Sequence, residues 1–275
     1  MTVTSIPWAR IMAPVAGVTG DSAALEAACA LARPFGAEVA AVFAPADVAD
    51  LMPWMGDGFM GGVQVAAVES LKEAAEEGRK AAEAAFAACA HPNKTFIALE
   101  SPVWSSLSMI SRLSDVVVFG PEAARARGPL AQAFQQMIAA EQRPVVVARA
   151  GLDPEGVMAV AWDGGKEASR AMRTALPLLQ RAKAVHIVAC AASSPRVFDT
   201  EALKAFLKAR GVEAQATLID GGGEVGAQLL KAARGLGATL FVAGAYGHPR
   251  LQEFIFGGAT RAFLNAESPS LFLSH

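Results

Sequence analysis

The chain has 275 residues, a hydrophobic fraction of 53% and a formal net charge of −2 at pH 7. This length accommodates one large domain or two of ordinary size, and the near-neutral charge excludes the clustered basic surface with which proteins bind nucleic acid. Apolar runs such as Val116–Phe119 are much shorter than the roughly 20 residues that cross a membrane, and residues 1–10 lack a signal-peptide pattern, so we expect a cytoplasmic protein without membrane or nucleic acid partners.

The first half alternates between short β-prone runs and Ala-rich helical patterns. Strands are predicted at Ile11–Val15, Glu38–Phe43, Lys94–Leu99, Asp115–Phe119 and Pro144–Ala148. Helices are predicted at Asp21–Arg33, Val63–Ala90, Pro102–Leu113 and Pro129–Ala140. One segment, Leu51 to Gly62, instead mixes large apolar residues with glycines and a proline. Two interpretations are open: a loop that buries its Trp and Met against the other domain, and a mobile lid or partner-docking loop.

A repeat divides the chain. The stretch that begins at Ile11 returns at Met158, an offset of about 147 residues, and each copy is a β-prone run, a glycine turn and an Ala-rich helical stretch. Such a repeat predicts two domains. Between the copies, Gly151, Asp153 and Pro154 interrupt any regular element. We therefore expect domains at residues 1–150 and 151–275.

The second half is predicted to have the same alternation. Its candidate strands are Val157–Trp162, Ala184–Cys190, Glu213–Ile219, Thr239–Ala243 and Ser270–Leu273. Helical patterns cover Lys166–Gln180, Asp199–Ala209, Glu224–Arg234 and Gly258–Asn265. Regular alternation of strand and helix indicates βαβ units, and therefore an α/β fold with a parallel sheet and helices on both faces.

Three cysteines, Cys29, Cys89 and Cys190, lie far apart without a Cys-x-x-Cys spacing. This pattern predicts neither a disulfide framework nor a zinc site, and buried free thiols are expected. Among charged residues, Lys166 and Glu167 open a helix and are expected to be solvated. His186 alternates with apolar residues in a strand, so we expect it to be packed or to lie on a face of the sheet.

The residues that follow two strands in the second half are the candidates for ligand binding. In open parallel sheets, ligands bind beyond the carboxyl ends of the strands. Asp163 follows the first strand in the sequence Trp-Asp-Gly-Gly, and its carboxylate could accept hydrogen bonds from an adenine amino group or a ribose hydroxyl. An alternative is that Asp163 or the following glycines only start the next helix.

After the fourth strand, a glycine-bracketed loop leads into a helix. It reads Gly244-Ala-Tyr-Gly247-His-Pro-Arg250-Leu, and after four more residues continues Phe-Gly257-Gly258-Ala-Thr260-Arg. Glycines allow close backbone approach, and free N–H groups at a helix start bind anions, as a phosphate chain requires. The alternative is that these glycines only form turns.

The spacing of Gly244, Gly247 and Gly257 resembles the glycine signature of the universal stress protein family, in the form of its tandem bacterial members. The resemblance is strong from Val157 to His275 and weak from Arg10 to Ala148. It implies two tandem adenine-nucleotide-binding-like (Rossmann-like) domains, each a five-stranded parallel sheet of order 3-2-1-4-5 flanked by helices. It also implies a stress-response module that binds ATP, AMP or another adenine nucleotide, with Mg²⁺ if the ligand is a triphosphate.

The same resemblance assigns the site residues. Asp163 would lie near the base or ribose, and Val188 and Ala189 would line the adenine pocket. The phosphates would meet Gly244, Gly247, Gly257, Gly258, Ala259 and Thr260. Apart from the resemblance, His248 and Arg250 could contact phosphate from the loop, with Arg250 kept as the candidate; the alternative is that both are exposed loop residues. Gly258 stands where the family usually has Ser or Thr, so a hydroxyl is lost unless Thr260 replaces it.

The first copy departs further from the signature. Ala16 stands in the position of Asp163, and the loop Gly120 to Gly128 lacks the second and third glycines, while Pro121 removes a backbone donor. We expect this domain to be structural. Arg125 and Arg127 are interpreted as solvated, with an anion contact as the alternative.

Three functions are compared. The first is the nucleotide-binding module with little or no turnover, since no nucleophile stands beside a base. The second is a scaffold or dimerisation protein with vestigial sites, in which Ser270–Leu273 pairs domains or subunits. The third is an ATP-pyrophosphatase-type enzyme, disfavoured because Asp163 to Ser169 matches that phosphate loop out of register. Tandem fusion also suggests pairing of the two domains within one chain, and a homodimer is the alternative.

Overall fold

The computed structural model describes residues 6–46, 61–100, 103–190, 199–220, 223–245 and 258–275. Its contacts separate two compact units, Ala9–Gln136 and the residues up to Trp8 together with Met137–His275. We call them the N-terminal and C-terminal units and treat each by itself. The segment Leu51 to Gly62, for which the sequence left two interpretations open, lies outside the described residues except at its last two positions.

The N-terminal unit alternates strands and helices in the predicted order. Its elements are β1 (Arg10–Val15), α1 (Asp21–Ala32), a 3-10 turn (Arg33–Phe35), β2 (Glu38–Phe43), α2 (Gly61–Ala88), β3 (Lys94–Ala98), α3 (Val103–Arg112), β4 (Val116–Phe119), α4 (Pro121–Ala124) and α5 (Ala131–Gln135). The strands pair in the order β3-β2-β1-β4, and all of these pairs are parallel. The predicted strands and long helices are confirmed, whereas the short helix α4 was not predicted.

The C-terminal unit repeats the alternation after one additional strand. A π-helical turn (Gln136–Ala140) and β5 (Val145–Val147) lead to β6 (Val157–Ala161), α6 (Lys166–Thr174), α7 (Leu176–Leu179), β7 (Ala184–Cys190), α8 (Thr200–Lys208), β8 (Ala214–Ile219), α9 (Val225–Gly235), β9 (Leu240–Gly244), α10 (Gly258–Asn265) and β10 (Ser270–Ser274). The predicted helix over 166–180 is divided at Ala175. Pro177 explains the division, because it cannot donate the backbone hydrogen bond that a continuous helix requires.

Five strands of the second repeat form a parallel sheet in the C-terminal unit. Their order is β10-β9-β6-β7-β8, with Ala159 of β6 level with His186 of β7 and Phe241 of β9. β5 lies beside β10 and pairs with it antiparallel. The prediction of an α/β fold with a largely parallel sheet and flanking helices is confirmed.

The position of β5 explains where the compact units divide. β5 belongs to the first repeat by sequence, yet its three valines are wholly buried and are paired with Leu271–Leu273 of β10. Contacts therefore group it with the second repeat, although the turn near Gly151 still separates the two copies along the chain. The domain boundary at residue 150 stays a prediction about the sequence repeat.

Burial agrees with the sequence pattern in both units. The central strands β1, β4, β6 and β9 are almost entirely buried, as expected for strands covered on both faces. Cys29, Cys89 and Cys190 are buried free thiols, as predicted, and burial beside Cys89 raises the pKa of the Cys29 thiol to about 12. No helix in the described part of the chain is long and apolar enough to cross a membrane.

Candidate functional site

Two of the predicted ligand-binding segments meet at one edge of the C-terminal sheet. β6 and β9 are parallel neighbours, with Val160 level with Val242. Their carboxyl ends therefore lie side by side, and Asp163 follows the first while Gly244 ends the second. This is the edge at which open parallel sheets bind ligands.

Asp163 forms the turn between β6 and α6. Its Oδ1 accepts a hydrogen bond from the Gly165 N–H at 2.8 Å, and Gly164 has a φ of +72°. A Cβ on Gly165 would lie 2.9 Å from the same oxygen, so the turn requires its glycines. The side chain is exposed, and among the described residues Oδ2 has no hydrogen-bond donor. One carboxylate oxygen thus holds the turn.

Gly244 has a packing role that the sequence did not reveal. A Cβ at this position would lie 2.6 Å from the Ala168 backbone nitrogen and 2.8 Å from the Glu167 Cβ. The first turn of α6 therefore lies directly on the end of β9. This contact also corrects a prediction: Lys166 is exposed, but Glu167 is buried, because α6 presses its first turn against β9.

The end of the second strand lies beside Asp163. The Trp162 N–H donates to the Val188 carbonyl oxygen at 3.0 Å, so β7 accompanies β6 to its last residue. Val188 and Ala189 are both fully buried. Their prediction as an adenine-lining pair stays a prediction, since the eight residues that follow β7 are not described.

The start of α10 lies against the start of α9, where a Cβ on Gly226 would lie 2.6 Å from the Ala259 Cα. Gly258 is exposed, Ala259 is half-buried and Thr260 is buried. The first N–H groups of a helix have no acceptor within the helix and favour anions. The Glu224 carboxylate is close by, since its Oε1 lies 3.6 Å from the place that a Cβ on Gly258 would occupy. A phosphate at this helix start would therefore meet both attractive N–H groups and a repelling carboxylate.

Three of the predicted site residues, Gly247, Arg250 and Gly257, lie outside the described residues. Their assignment to phosphate stays a prediction from the sequence. Gly244, Gly258, Ala259 and Thr260 are described and stand on either side of that segment.

Trp162 is a candidate that the sequence analysis passed over. Its indole Nε1 is buried and has no hydrogen-bond partner among the residues that the structure describes. The signal was present in the sequence, as a tryptophan directly before the strand-end aspartate, but sequence alone does not show whether an indole N–H is satisfied.

The matching turn of the N-terminal unit is closed by its own carboxylate. One oxygen of Asp21 accepts hydrogen bonds from the N–H groups of Ala16, Gly17 and Val18 at 3.0, 2.7 and 3.0 Å. The side chain is buried, and this burial raises the pKa of the Asp21 carboxyl, against the lowering effect of the three N–H groups. The three N–H groups of this turn are therefore already occupied by Asp21.

In the loop after β4 of the N-terminal unit, the arginines pair with a carboxylate of the same loop. Pro121 begins the short helix α4, and Arg125 and Arg127 both lie near the Glu122 carboxylate, at 3.1 and 3.7 Å. The prediction that both arginines are solvated is confirmed for Arg127 and wrong for Arg125. Arg127 is exposed, while the Arg125 side chain is largely covered.

Solved structures share this fold over almost the whole chain. A universal stress protein from Archaeoglobus fulgidus DSM 4304 matches with a TM-score of 0.61 and 14% identity, over 96% of this chain and 95% of that one. A functionally unknown protein from Pseudomonas aeruginosa PAO1 matches with a TM-score of 0.57 and 15% identity, over 97% of this chain and 92% of that one. No protein-family model matches the sequence. No curated protein matches it either. The predicted resemblance is therefore confirmed at the level of the fold.

Proposed function

We propose that this chain is a tandem universal stress protein whose C-terminal unit binds one adenine nucleotide with little or no catalysis. ATP with Mg²⁺ is the first ligand to test, and AMP or another adenine nucleotide is the alternative ligand. Similarity in fold to a universal stress protein over 96% of the chain supports the family. The nucleotide and its site rest on the residues of the C-terminal unit.

One observation carries the proposal: the same turn differs between the two repeats. In the N-terminal unit the Asp21 carboxylate takes three loop N–H groups. In the C-terminal unit Ala168 stands at the corresponding position, 147 residues later. No acceptor among the described residues takes the N–H of Asp163 or Gly164. The C-terminal turn therefore keeps donors and a free carboxylate oxygen for a ligand, and the N-terminal turn does not.

The residues at the C-terminal edge suit an adenine nucleotide in outline. Asp163 supplies an acceptor for an amino or hydroxyl group, and the unsatisfied Trp162 N–H supplies a donor. The first N–H groups of α10 supply electrostatic attraction for phosphate. Glu224 opposes a highly charged phosphate chain, and a bound Mg²⁺ would reduce that opposition by neutralising part of the phosphate charge.

Calorimetric titration of the full-length, nucleotide-stripped protein with ATP and Mg²⁺ tests the proposal. We expect saturable binding near one equivalent per chain. Gly247→Val should abolish it, because a branched side chain would occupy the space that the phosphates need. Gly120→Val is the matched control in the N-terminal unit, where a Cβ would approach no atom closer than 4.0 Å, and it should bind as the wild-type protein does.

A scaffold without nucleotide is the second candidate function. The full burial of Val188 and Ala189 and the position of Glu224 beside Gly258 favour it, because both reduce the surface open to a ligand. Absence of heat and of any thermal shift with ATP, ADP, AMP and adenosine would support the scaffold and contradict nucleotide binding. Sedimentation velocity then separates pairing of the two domains within a monomer from a homodimer.

A further inference from the structure

We propose that the indole N–H of Trp162 binds the ligand directly, by donating a hydrogen bond to an acceptor atom on the base or ribose of the nucleotide. This assignment rests on the proposed nucleotide site and adds a residue that determines its specificity. Trp162 would recognise a hydrogen-bond acceptor of the nucleotide, whereas Asp163 would recognise a hydrogen-bond donor.

The first argument is an unsatisfied donor. Trp162 Nε1 is buried from solvent and no described residue is its hydrogen-bond partner, although the residue as a whole is only half-buried. Buried polar atoms in native proteins nearly always have a partner, so an exception calls for a missing one. An indole N–H can only donate. No described residue is therefore the acceptor, and the assignment gives this role to the ligand.

The second argument is position. Trp162 directly follows β6, and its backbone N–H pairs with Val188 at the end of β7. Continuing the register in which Val160 is level with Val242 places Trp162 level with Gly244. The unsatisfied donor thus belongs to the residue between the two strand ends where a ligand is expected. Asp163, the next residue, keeps one carboxylate oxygen for the same ligand.

His186 provides an instructive contrast. Its Nδ1 is also buried without a partner, but His186 lies within β7, level with Ala159 and Gln215 and four residues before the strand ends. A neutral imidazole can carry its proton on the other nitrogen, so an unpartnered Nδ1 is not necessarily a donor. Trp162 has no second tautomer. Of these two described residues, the tryptophan therefore combines an obligatory donor with a position at the ligand edge.

Removing the donor alone tests the assignment. Trp162→Phe keeps an aromatic ring without the N–H, and benzothienylalanine incorporated at position 162 keeps the bicyclic shape with sulfur in place of nitrogen. We expect both full-length proteins to fold, with the second melting within a few degrees of wild type, because no hydrogen bond of the free protein is lost. The Kd for ATP and the Kd for adenosine should both rise, by about 5- to 30-fold, because one buried hydrogen bond to the ligand is lost.

The ligands and controls separate the possible causes. Adenosine contains the base and ribose without phosphates, so equal weakening for ATP and adenosine locates the contact on the nucleoside. Trp104→Phe, in α3 of the N-terminal unit, should leave both Kd values unchanged. In the wild-type protein, the indole ¹H–¹⁵N signal that disappears in Trp162→Phe should shift when adenosine is added.

Three results would overturn the assignment. If ATP and adenosine bind the benzothienylalanine protein as tightly as the wild-type protein and the indole signal does not shift, the donor contacts water or nothing, and the nucleotide site stands without Trp162. If the wild-type protein binds neither ligand, the proposed function fails and the assignment fails with it. A rise in Kd for ATP but not for adenosine would also contradict it, because the contact would then lie on the phosphates.

Discussion

Gly226, in the first turn of α9, lies directly against Ala259, in the first turn of α10. A Cβ at position 226 would lie 2.6 Å from the Ala259 Cα and 2.9 Å from its carbonyl oxygen. Backbone atoms cannot yield as a flexible side chain can, so the two helix starts must separate if residue 226 carries a side chain. The residue that sets the position of the predicted phosphate-binding helix start is therefore on a different helix.

Gly226→Ala should lower the free energy of unfolding by about 1–3 kcal/mol, the usual cost of overpacking, and should weaken ATP binding by moving α10. Urea denaturation and titration calorimetry measure the two effects. Gly235→Ala is the matched control at the end of the same helix, where a Cβ would meet nothing within 4 Å. It should stabilise by about 0.5–1 kcal/mol. Equal stability of the two variants would contradict the close contact.

Asp163→Asn should weaken ATP binding about 5- to 10-fold, as expected when a charged acceptor becomes a neutral one. The amide oxygen can still accept from the Gly165 N–H, so the turn should persist and the melting temperature should change little. Calorimetry and thermal denaturation of the same samples separate the two effects. A large fall in melting temperature with unchanged affinity would instead show that Asp163 serves only the turn.

Asp21→Ala should lower the stability of the protein without changing its affinity for ATP. Three part-buried backbone N–H groups, of Ala16, Gly17 and Val18, lose their acceptor, and we expect a loss of about 1 kcal/mol, the low end of the cost of an unsatisfied donor. Urea denaturation should show that loss, whereas the stoichiometry and Kd for ATP should equal those of the wild type. A gain of a second binding equivalent would show that Asp21 blocks a functional site in the N-terminal unit.

Glu224→Gln should tighten ATP binding about 2- to 5-fold at low salt, since it removes a repelling charge beside the start of α10. The gain should shrink as salt is raised, because exposed charges are screened. Calorimetric titrations with ATP at two ionic strengths measure this gain in affinity. The control is Glu201→Gln, which removes an exposed carboxylate on α8. It should leave the Kd for ATP unchanged at both ionic strengths. Weaker binding by Glu224→Gln would show that this carboxylate contacts the ligand or its metal ion favourably.

Glu38→Gln should destabilise the protein at neutral pH but not in strong acid. Arg10 donates to Glu38 Oε2 at 2.8 Å, and this hydrogen bond lowers the pKa of the Glu38 carboxyl. A lowered pKa in the folded state adds stability above the ordinary Glu value of about 4.3, and this stability is lost as the pH falls through the folded-state pKa. Urea denaturation from pH 7 to 3 should therefore show two curves that converge. If the two curves of unfolding free energy against pH stay parallel, the Arg10–Glu38 pair does not stabilise the protein.

The sequence by itself determined the element order, the repeat and the edge of the sheet where a ligand is expected. These depend on local patterns: apolar runs, glycine and proline breaks, and the return of the Ile11 stretch at Met158. Hydrophobic periodicity acts over a few residues and is therefore readable from the chain. Even here proline chemistry altered one element, since Pro177 divides a helix that the apolar pattern alone extends to Gln180.

Only the tertiary structure decided what the individual residues at that edge do. Gly244 packs against the first turn of α6, and Glu167 in that turn is buried. β5 pairs with the last strand of the other repeat. The Asp21 carboxylate takes the N–H groups of one turn, while beside the other turn the Trp162 indole N–H has no acceptor among the described residues. Each of these follows from close packing or hydrogen bonding set by the folded backbone, often between residues distant in sequence. Close packing and hydrogen-bond satisfaction are properties of the folded state, so no local pattern in the chain records them.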